Sequence, residues 1–521
     1  MSKVIFDKRG MKNIQLKGKV KIIGLLLIAV LSLIAGFAYI PCQADSIDDG
    51  IYIDEIKLNK SSVLSDEELE EIINDYEGKI INIGSLKTLV NSINELYLEK
   101  GYITSRAILP AQKIEDNVVR IQLVEGRVGE IILSGNDTTD DEYILERISI
   151  QADDLIKLRS LENELFKFNA VNDISLKSEL KAGKEFGTTD LILKAFEPEM
   201  KYFRTFYDNA GRDETGLNRY GLSFTDNSFY GYRDRMNMVF FGAKGMKALS
   251  IKYSLPVFKY GTRLNFSYNN NATDIISGEY ETVNIEGDYQ DYSYSINHPF
   301  LFKNGIKIDS YLEYSKKFSD TYFSGVNILT TDIETYTIGV ANRIVNPGSV
   351  HYTSFNLKKG NSTSGKDNYT DPGTIDDFYK YNLYYETQKL LKDRSNLNFK
   401  CNLQSSNNKL LPSSEQFSLG GISSVRGYKE GLLTGDKGYF ISMELNKKYN
   451  DKVDYFMFWD HGGAFPYKGN NETITAEDYL TSVGQGFSVE FTEDLSGKFI
   501  IGFPLEKGKE PRLHFTIQRN W

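Results

Sequence analysis

The sequence predicts an all-β transmembrane barrel of about sixteen antiparallel strands, preceded by two small α+β domains. Near the C-terminus, Leu513, Phe515, Ile517 and Trp521 alternate with polar residues, and a strand of this kind with an aromatic last residue can close a barrel. Aromatic residues make up 13% of the chain, although its mean hydropathy is only −0.37. A barrel needs this combination because only alternate residues of each strand face lipid.

The N-terminal segment is predicted to be a signal peptide. A largely apolar run covers residues 22–40, follows Lys17, Lys19 and Lys21, and ends shortly before Ala44. A basic start, an apolar centre and a small residue together indicate a secretory signal, residues 1–44, that is removed by cleavage. The run is also long enough to stay as a membrane anchor, and Met11 offers a second start of the chain.

Composition argues against several classes of protein. Without residues 1–44 the chain carries 54 Lys and Arg against 70 Asp and Glu, a net charge of −16, so nucleic acid is not an expected partner. The one cysteine that then remains, Cys401, cannot form an internal disulfide. The sequence contains no Gly-x-Ser-x-Gly elbow, phosphate-binding loop or cluster of metal ligands. We therefore predict a protein that is not an enzyme, with no catalytic residue, cofactor or metal.

Helical and strand patterns alternate in the N-terminal third, and we predict two domains there, residues 45–127 and 128–198. In the first domain Ser65 is expected to cap a helix. The elements predicted for that domain are strands at 51–58, 103–110 and 118–124 and helices at 66–76 and 86–99. Those predicted for the second are strands at 130–134, 173–180 and 188–195 and helices at 141–148 and 160–168.

One segment of the first domain carries an ordered set of residues, Tyr97, Gly101, Tyr102, Pro110 and Gln112. Locally, the glycine indicates the end of a helix and the proline the end of a strand. The whole set resembles the first POTRA domain (a periplasmic transport-associated domain) of two-partner secretion transporters, the haemolysin secretion/activation family.

The barrel is predicted at residues 199–521. Alternation is clearest at 264–268, 306–314 and 439–445, and polar turns separate these segments. About 20 residues per strand and turn suits strands of about 10 residues with loops of unequal length. The first hairpin, around Asp208 and Arg219, needs no more than an ordinary Asn/Gly turn.

The longest barrel segment without a strand pattern covers about residues 406–437 and contains Val425, Arg426, Gly427 and Tyr428. A loop of this length within a barrel is usually functional or disordered. An arginine inside a narrow lumen needs a carboxylate, because an unpaired charge away from water is costly.

A later segment, Phe458-Trp-Asp-His-Gly462, supplies that carboxylate. Phe458, Asp460 and Gly462 are spaced two apart and so share one face of a strand, which we expect to be luminal. The two motifs resemble the sixth extracellular loop and the Phe-x-Asp-x-Gly strand of the POTRA-plus-barrel superfamily, and this implies a loop folded back into the lumen. We predict that Arg426 pairs with Asp460 and docks the loop inside the barrel.

The resemblance covers essentially the whole chain after residue 44. It implies an outer-membrane transporter of a diderm bacterium, with its POTRA domains in the periplasm. Such a transporter recognises one large unfolded exoprotein, usually a β-helical adhesin or haemolysin, and exports it through the barrel. Exposed POTRA strand edges would bind the exoprotein by strand addition, and the barrel-assembly machinery would insert the transporter among outer-membrane lipids.

Two alternatives stay open at the level of sequence. Family members can carry a helix that plugs the pore, but residues 45–50 are too few for a helix that spans a lumen of roughly 30 Å. Either the loop alone seals the pore or the channel leaks. The second alternative concerns function: an insertase of the same superfamily, which assembles other outer-membrane proteins, shares the luminal arginine loop.

Overall fold

The computed structural model describes residues 50–278, 280–303, 305–365, 377–407, 410–467 and 474–521. The predicted signal peptide, residues 1–44, lies outside these ranges. The described residues fall into two compact units, the first made of residues 50–95 and 107–123 and the second of residues 96–106 and 124–521. Among the described helices, none has the length and apolar character needed to cross a membrane.

The N-terminal domain contains both helices and strands, as its sequence predicts. Its elements are β1 Ile51–Ile53, β2 Glu55–Leu58, α1 Asp66–Ile73, β3 Lys79–Ile81, α2 Ile83–Glu99, β4 Arg106–Ile108 and β5 Val118–Val124. The expected helix cap is confirmed, because the Ser65 hydroxyl accepts a hydrogen bond from the backbone N–H of Glu68, and the Glu68 carboxylate accepts one from the Ser65 N–H. Strand β5 lies between β2 and β4 in a three-stranded sheet.

The structure differs from the prediction for this domain in several details, and the strand expected at 103–110, for example, covers only Arg106–Ile108. The single strand expected at 51–58 is broken at Asp54, because β1 pairs with β3 whereas β2 pairs with β5. The N–H of Asp54 donates to the carbonyl of Asn117, and this contact turns the backbone toward its new partner. Strand β3 was missed because three residues are too few to show alternation.

The second domain contains β6 Arg127–Ser134, α3 Asp141–Leu145, α4 Leu158–Val171, β7 Ser175–Ala182 and β8 Thr188–Phe196. Its sheet has the order β6-β8-β7, with β6 parallel to β8 and β7 antiparallel to it. Buried residues of both helices and all three strands form one core, which includes Ile144, Phe168, Leu176 and Leu191. Helix α3 ends earlier than predicted, at Leu145.

Sixteen antiparallel strands form a closed barrel, in which β26 pairs with β9. The strands are β9 Lys201–Asp208, β10 Arg219–Asp226, β11 Arg235–Ala243, β12 Met246–Val257, β13 Thr262–Asp274, β14 Ile285–Lys303, β15 Ile306–Phe323, β16 Val326–Asn346, β17 Ser349–Ser364, β18 Asp377–Leu390, β19 Ser395–Ser406, β22 Lys437–Lys448, β23 Val453–Phe465, β24 Tyr479–Glu490, β25 Leu495–Pro504 and β26 Arg512–Asn520. We call the end at which β9 begins the inner end, and the opposite one the outer end.

The segment between β19 and β22, here called the luminal loop, leaves the barrel wall at the outer end. Contrary to prediction it contains two short strands, β20 Phe417–Leu419 and β21 Leu433–Gly435, which pair as an antiparallel hairpin. Each has only three residues, so neither was visible as an alternating pattern. The hairpin presents the tip of the loop, with Arg426, to the neighbouring wall.

Candidate functional site

The luminal loop packs against the inner wall through an apolar cluster. Phe417, Leu419, Val425 and Tyr428 of the loop are buried together with side chains of β22, β23 and β24, namely Phe440, Ala464 and Leu480. Burial of this many apolar side chains gives the loop a preferred resting position. The same cluster brings the polar tip of the loop to the face of β23.

Arg426 and Asp460 form a two-bond ion pair at the centre of this contact. The Nε and Nη2 atoms of Arg426 donate to the two carboxylate oxygens of Asp460, at 2.7 and 2.9 Å. The backbone N–H of Arg426 donates to the same carboxylate at 3.1 Å. Asp460 is 0% exposed and Arg426 is 6% exposed, so both charges are held away from bulk water. A planar guanidinium suits this geometry, since its N–H groups match the two oxygens of a carboxylate.

Three further residues of the wall complete the surroundings of Arg426. Its Nη1 donates to the carboxylate of Glu444, and its Nη2 donates to the hydroxyl of Ser442 at 3.2 Å. The ring of Phe458 lies 3.5 Å below the guanidinium carbon. Sequence reasoning found Phe458 through its motif but missed Ser442 and Glu444, whose strand β22 carries no motif of its own.

The two glycines of the loop and wall motifs allow close approach. Gly427 has a φ angle of +97°, and a Cβ atom there would lie 2.8 Å from the backbone carbon of Gly502 in β25. Its N–H donates to Nε2 of His514 in β26, at 3.2 Å. A Cβ on Gly462 would lie 2.8 Å from the side chain of Leu419. The loop backbone therefore rests directly on the wall.

Tyr428 completes the tip of the loop. It is 3% exposed, and its hydroxyl donates to the backbone carbonyl of Thr481 in β24 at 2.8 Å. Each of the seven residues predicted in the two motifs thus lies in the contact between loop and wall, and together they connect the loop to strands β22 to β26.

A second set of contacts holds the first residues of the luminal loop against strands β15, β17 and β18. Glu415, which is 1% exposed, accepts hydrogen bonds from Lys317 of β15 and Lys380 of β18, both at 2.6 Å. Lys358 of β17 lies 3.3 Å from the same carboxylate. Nearby Leu411 packs with wall side chains of β16 and β18. No sequence motif indicated this cluster, because its four charged residues come from four separate segments.

At the outer end, the turn between β9 and β10 contacts the far side of the loop. Asp213 accepts hydrogen bonds from Lys429 of the loop at 2.6 Å and from Arg512 of β26 at 2.9 Å. Partial burial raises the pKa of Asp213, but the hydrogen bonds from Lys429 and Arg512 outweigh that effect and hold the pKa below its usual value of 3.8. This turn, predicted to be only a simple connection, therefore also fastens the loop.

The POTRA signature residues serve the local fold. Tyr97 is fully buried, and Gly101, with a φ angle of +86°, follows the end of α2. The N–H of Tyr102 donates to the carbonyl of Tyr97 at 2.9 Å. Pro110 follows β4, and the amide of Gln112 both donates to and accepts from the backbone of Arg120 in β5.

The predicted closing strand pairs with β9 as the barrel requires. Ile517 lies opposite Tyr207, and the ring of Phe515 packs 5.6 Å from that of the same tyrosine. The N–H of Trp521 donates to the carbonyl of Phe203 at 2.8 Å. Arg519 stacks over the Trp521 ring at 3.8 Å.

The luminal loop is held in place by noncovalent contacts. We call Arg426 and its partners Asp460, Glu444 and Ser442 the clamp, which consists of ion pairs and hydrogen bonds. Glu415 and Asp213 also hold the loop by ion pairs. The loop can therefore leave without any covalent bond being broken. Among the described residues, no cluster of His, Cys, Asp and Glu has a geometry that could hold a metal ion.

The chain is similar to known proteins over most of its length. A family model described as haemolysin secretion/activation protein ShlB/FhaC/HecB matches residues 187–489, and one described as POTRA domain, ShlB-type, matches residues 51–126. The heme/hemopexin transporter protein HuxB of Haemophilus influenzae is 26% identical over 470 residues, which cover 86% of this chain and 82% of HuxB.

Solved structures share the fold. CdiB from Escherichia coli superimposes with a TM-score of 0.64 at 19% identity, with 92% of each chain covered. BamA from Haemophilus ducreyi lacking POTRA domains 1–3 gives a TM-score of 0.55 at 15% identity, with 91% of this chain and all of that chain covered.

Proposed function

Because the chain belongs to the ShlB/FhaC/HecB haemolysin secretion/activation family, we propose that it carries one large exoprotein, unfolded in the periplasm, through its barrel to the cell surface. The chain is an outer-membrane transporter, and its POTRA region lies in the periplasm. The predicted family and the predicted fold class are both confirmed. The observation that carries the proposal is the position of the luminal loop, which the ion pair between Arg426 and Asp460 holds inside the barrel.

Transport requires this loop to move, since the barrel is closed and the loop occupies part of its interior. We propose two positions of the loop, one docked on β22 to β26 and one displaced by the passing exoprotein. The buried ion pair favours the docked position. Because Arg426 also contacts Glu444, the loop returns to one defined place after each passage.

The two POTRA domains would take up the exoprotein by strand addition. Each contains a three-stranded sheet with two outer strands, β2 and β4 in the first domain and β6 and β7 in the second. The outer strand of a sheet can pair with an extended segment of another chain, and an unfolded exoprotein offers such segments. Folding of the exoprotein outside the cell would then make transport directional, since no nucleotide is available in the periplasm.

We propose that the barrel-assembly machinery inserts this barrel among outer-membrane lipids, that nucleic acid is not a partner, and that the chain has no catalytic activity. The exposed aromatic and aliphatic side chains of the barrel suit a lipid surrounding. These include Tyr294, Leu312, Tyr336 and Ile338 of three adjacent strands.

The test is export of the candidate exoprotein by cells that carry Arg426→Ala. We expect the variant barrel to reach the outer membrane while the exoprotein stays in the periplasm, because a loop without the Arg426 contacts no longer returns to the defined docked position that each passage starts from. Arg343→Ala is the matched control, since Arg343 is an exposed arginine of β16, away from the clamp, and its loss should leave export unchanged. Export at the wild-type level by the Arg426 variant would contradict the proposed role of the loop.

The same experiment separates the transporter from the insertase, the alternative that the sequence left open. If the exoprotein is exported normally while other outer-membrane proteins fail to assemble, the insertase function should replace the one proposed here. Outer-membrane protein levels measured in the same cells decide between the two.

A further inference from the structure

The second domain touches the inner end of the barrel beside the lipid-facing wall. Lys259, in the turn between β12 and β13, donates to the hydroxyl of Ser149 at 2.8 Å. In the same turn, a Cβ atom on Gly261 would lie 2.5 Å from the Cβ of Val171, at the end of α4. The turn and the domain are thus in close contact, and a cleft of about 740 Å³ opens next to it.

The side of the cleft formed by polar residues is basic. Three basic side chains line it, Arg147 and Lys167 of the second domain and Lys259 of the barrel. One carboxylate, that of Glu164, lines it as well. The Arg147 side chain is 9% exposed and lies over the ring of Tyr143, with 3.7 Å from the guanidinium carbon to the ring centre. Its Nη1 lies 3.9 Å from the carboxylate of Glu146, which is 65% exposed, so Arg147, Lys167 and Lys259 still outnumber Glu146 and Glu164. This local excess of positive charge contrasts with the net charge of −10 of the whole chain.

The opposite side of the cleft is apolar and belongs to the barrel. It includes Tyr260, 66% exposed, and Phe300, 56% exposed, at the ends of the turn and of β14. Exposed aromatic side chains at the end of membrane-spanning strands mark the level of the lipid headgroups. Ile296, four residues before Phe300 in β14, is also exposed and continues this surface toward the membrane.

We propose that this cleft binds the headgroup of an anionic phospholipid of the periplasmic leaflet. The phosphate lies among Arg147, Lys167 and Lys259, and the acyl chains follow Phe300 and Ile296 along the barrel wall. Charge complementarity favours an anionic lipid over a zwitterionic one, since a basic group near an anionic headgroup attracts it. A bound lipid would join the second domain to the membrane.

Native mass spectrometry of the full chain tests this proposal without the exoprotein. The detergent-purified protein is exposed to an equal mixture of phosphatidylglycerol and phosphatidylcholine, and the retained lipids are counted. We expect the wild type to retain phosphatidylglycerol preferentially. Lys167→Gln with Lys259→Gln should reduce that preference by roughly tenfold or more, as two lysines facing one headgroup predict. The control combines Lys181→Gln with Lys184→Gln, at two exposed lysines of the same domain that lie outside the cleft. This control should leave the preference for phosphatidylglycerol unchanged.

Equal retention of both lipids by the wild type would overturn the proposal, and this comparison needs no variant. The proposal would also be overturned if both double variants lost the preference for phosphatidylglycerol to the same extent. Heat-modifiable migration in gels must first show that both variant barrels are folded. An excess of inorganic phosphate should leave the lipid bound, and its displacement would indicate a site for free phosphate instead. A negative result leaves the transport function untouched, because export is not measured here.

Discussion

At the scale of single residues, Arg426 depends on more partners than the sequence motifs suggest. Its guanidinium contacts Asp460, Glu444 and Ser442, and removing one member of such a buried pair typically costs about 3–5 kcal/mol. Exchanging the charges of Arg426 and Asp460 is therefore a poor test of their pairing, because an aspartate at position 426 would lie beside Glu444. The glycine that follows offers a cleaner test.

We expect Gly427→Ala to undock the loop. Its φ angle of +97° strains any other residue, and the added Cβ would meet the backbone of Gly502 at 2.8 Å. Export of the exoprotein should fall several-fold, and openings of the reconstituted channel in planar bilayers should become more frequent. Gly508→Ala is the matched control, since Gly508 has a φ angle of +86° but open space around the position of its Cβ. Equal effects of both variants would show that backbone strain, rather than contact with the wall, is responsible.

At the scale of elements, the loop is held at both ends of its hairpin by different parts of the barrel. The tip lies on β22 to β26, and the beginning lies on β15, β17 and β18 through Glu415. One carboxylate faces three lysines there, so the lysines would repel one another if it were neutral. If the loop is displaced in transport as proposed, this basic cluster is uncovered.

We expect Glu415→Gln to loosen the beginning of the loop and to lower the stability of the folded barrel. The temperature at which the heat-modifiable form unfolds should drop, and spontaneous channel openings should increase. Glu493→Gln, in an exposed turn at the inner end, is the control and should change neither quantity. An unchanged unfolding temperature for the Glu415 variant would mean that the lysines find other partners.

Asp213 gives the outer turn a contact that is insensitive to pH in the physiological range. The pKa of its carboxylate is lowered below 3.8, so the contact is fully present above that value and is lost as pH falls through the lower folded-state pKa. We expect wild-type channel openings to stay constant between about pH 8 and pH 5 on this account. Asp213→Asn should increase them at all these values. A wild-type rise already near pH 6 that the Asn variant lacks would contradict this assignment.

At the scale of the whole molecule, an ion pair between a buried arginine and a partly exposed aspartate joins the second domain to the barrel. Arg233, in the turn between β10 and β11, is 1% exposed, and its Nε and Nη2 donate to Asp173 at 3.0 and 2.7 Å. The pair fixes the second domain to the inner end of the barrel, where the exoprotein would enter. Lys259 and Ser149 add a second contact.

Arg233→Ala should release this attachment, because it leaves Asp173 without its two-bond partner. Hydrogen–deuterium exchange in the turn 227–234 and at the end of α4 should become faster, with the barrel strands unaffected. Arg235→Ala is the control, since Arg235 is half exposed and lies 3.8 Å from Asp173. If exchange in both segments matched that of the control, the attachment would have to rest on other contacts.

Most of the fold followed from the sequence because it depends on local patterns. The alternating segments 264–268, 306–314 and 439–445 all lie in barrel strands, and the number of strands was correct. Short elements were missed: β3 and the hairpin of β20 with β21 have three residues per strand, and such strands form because of their partners. The break at Asp54 likewise reflects two different partners for β1 and β2.

By itself, the sequence determined the barrel class, the POTRA signature and the two motifs of the luminal loop and wall, since each is a spacing within one short segment. Only the tertiary structure decided which distant side chains surround them. His514 is 87 residues from Gly427, and Lys317 is 98 residues from Glu415. Contacts of this kind depend on how a closed barrel places its strands around one lumen, which no local pattern encodes.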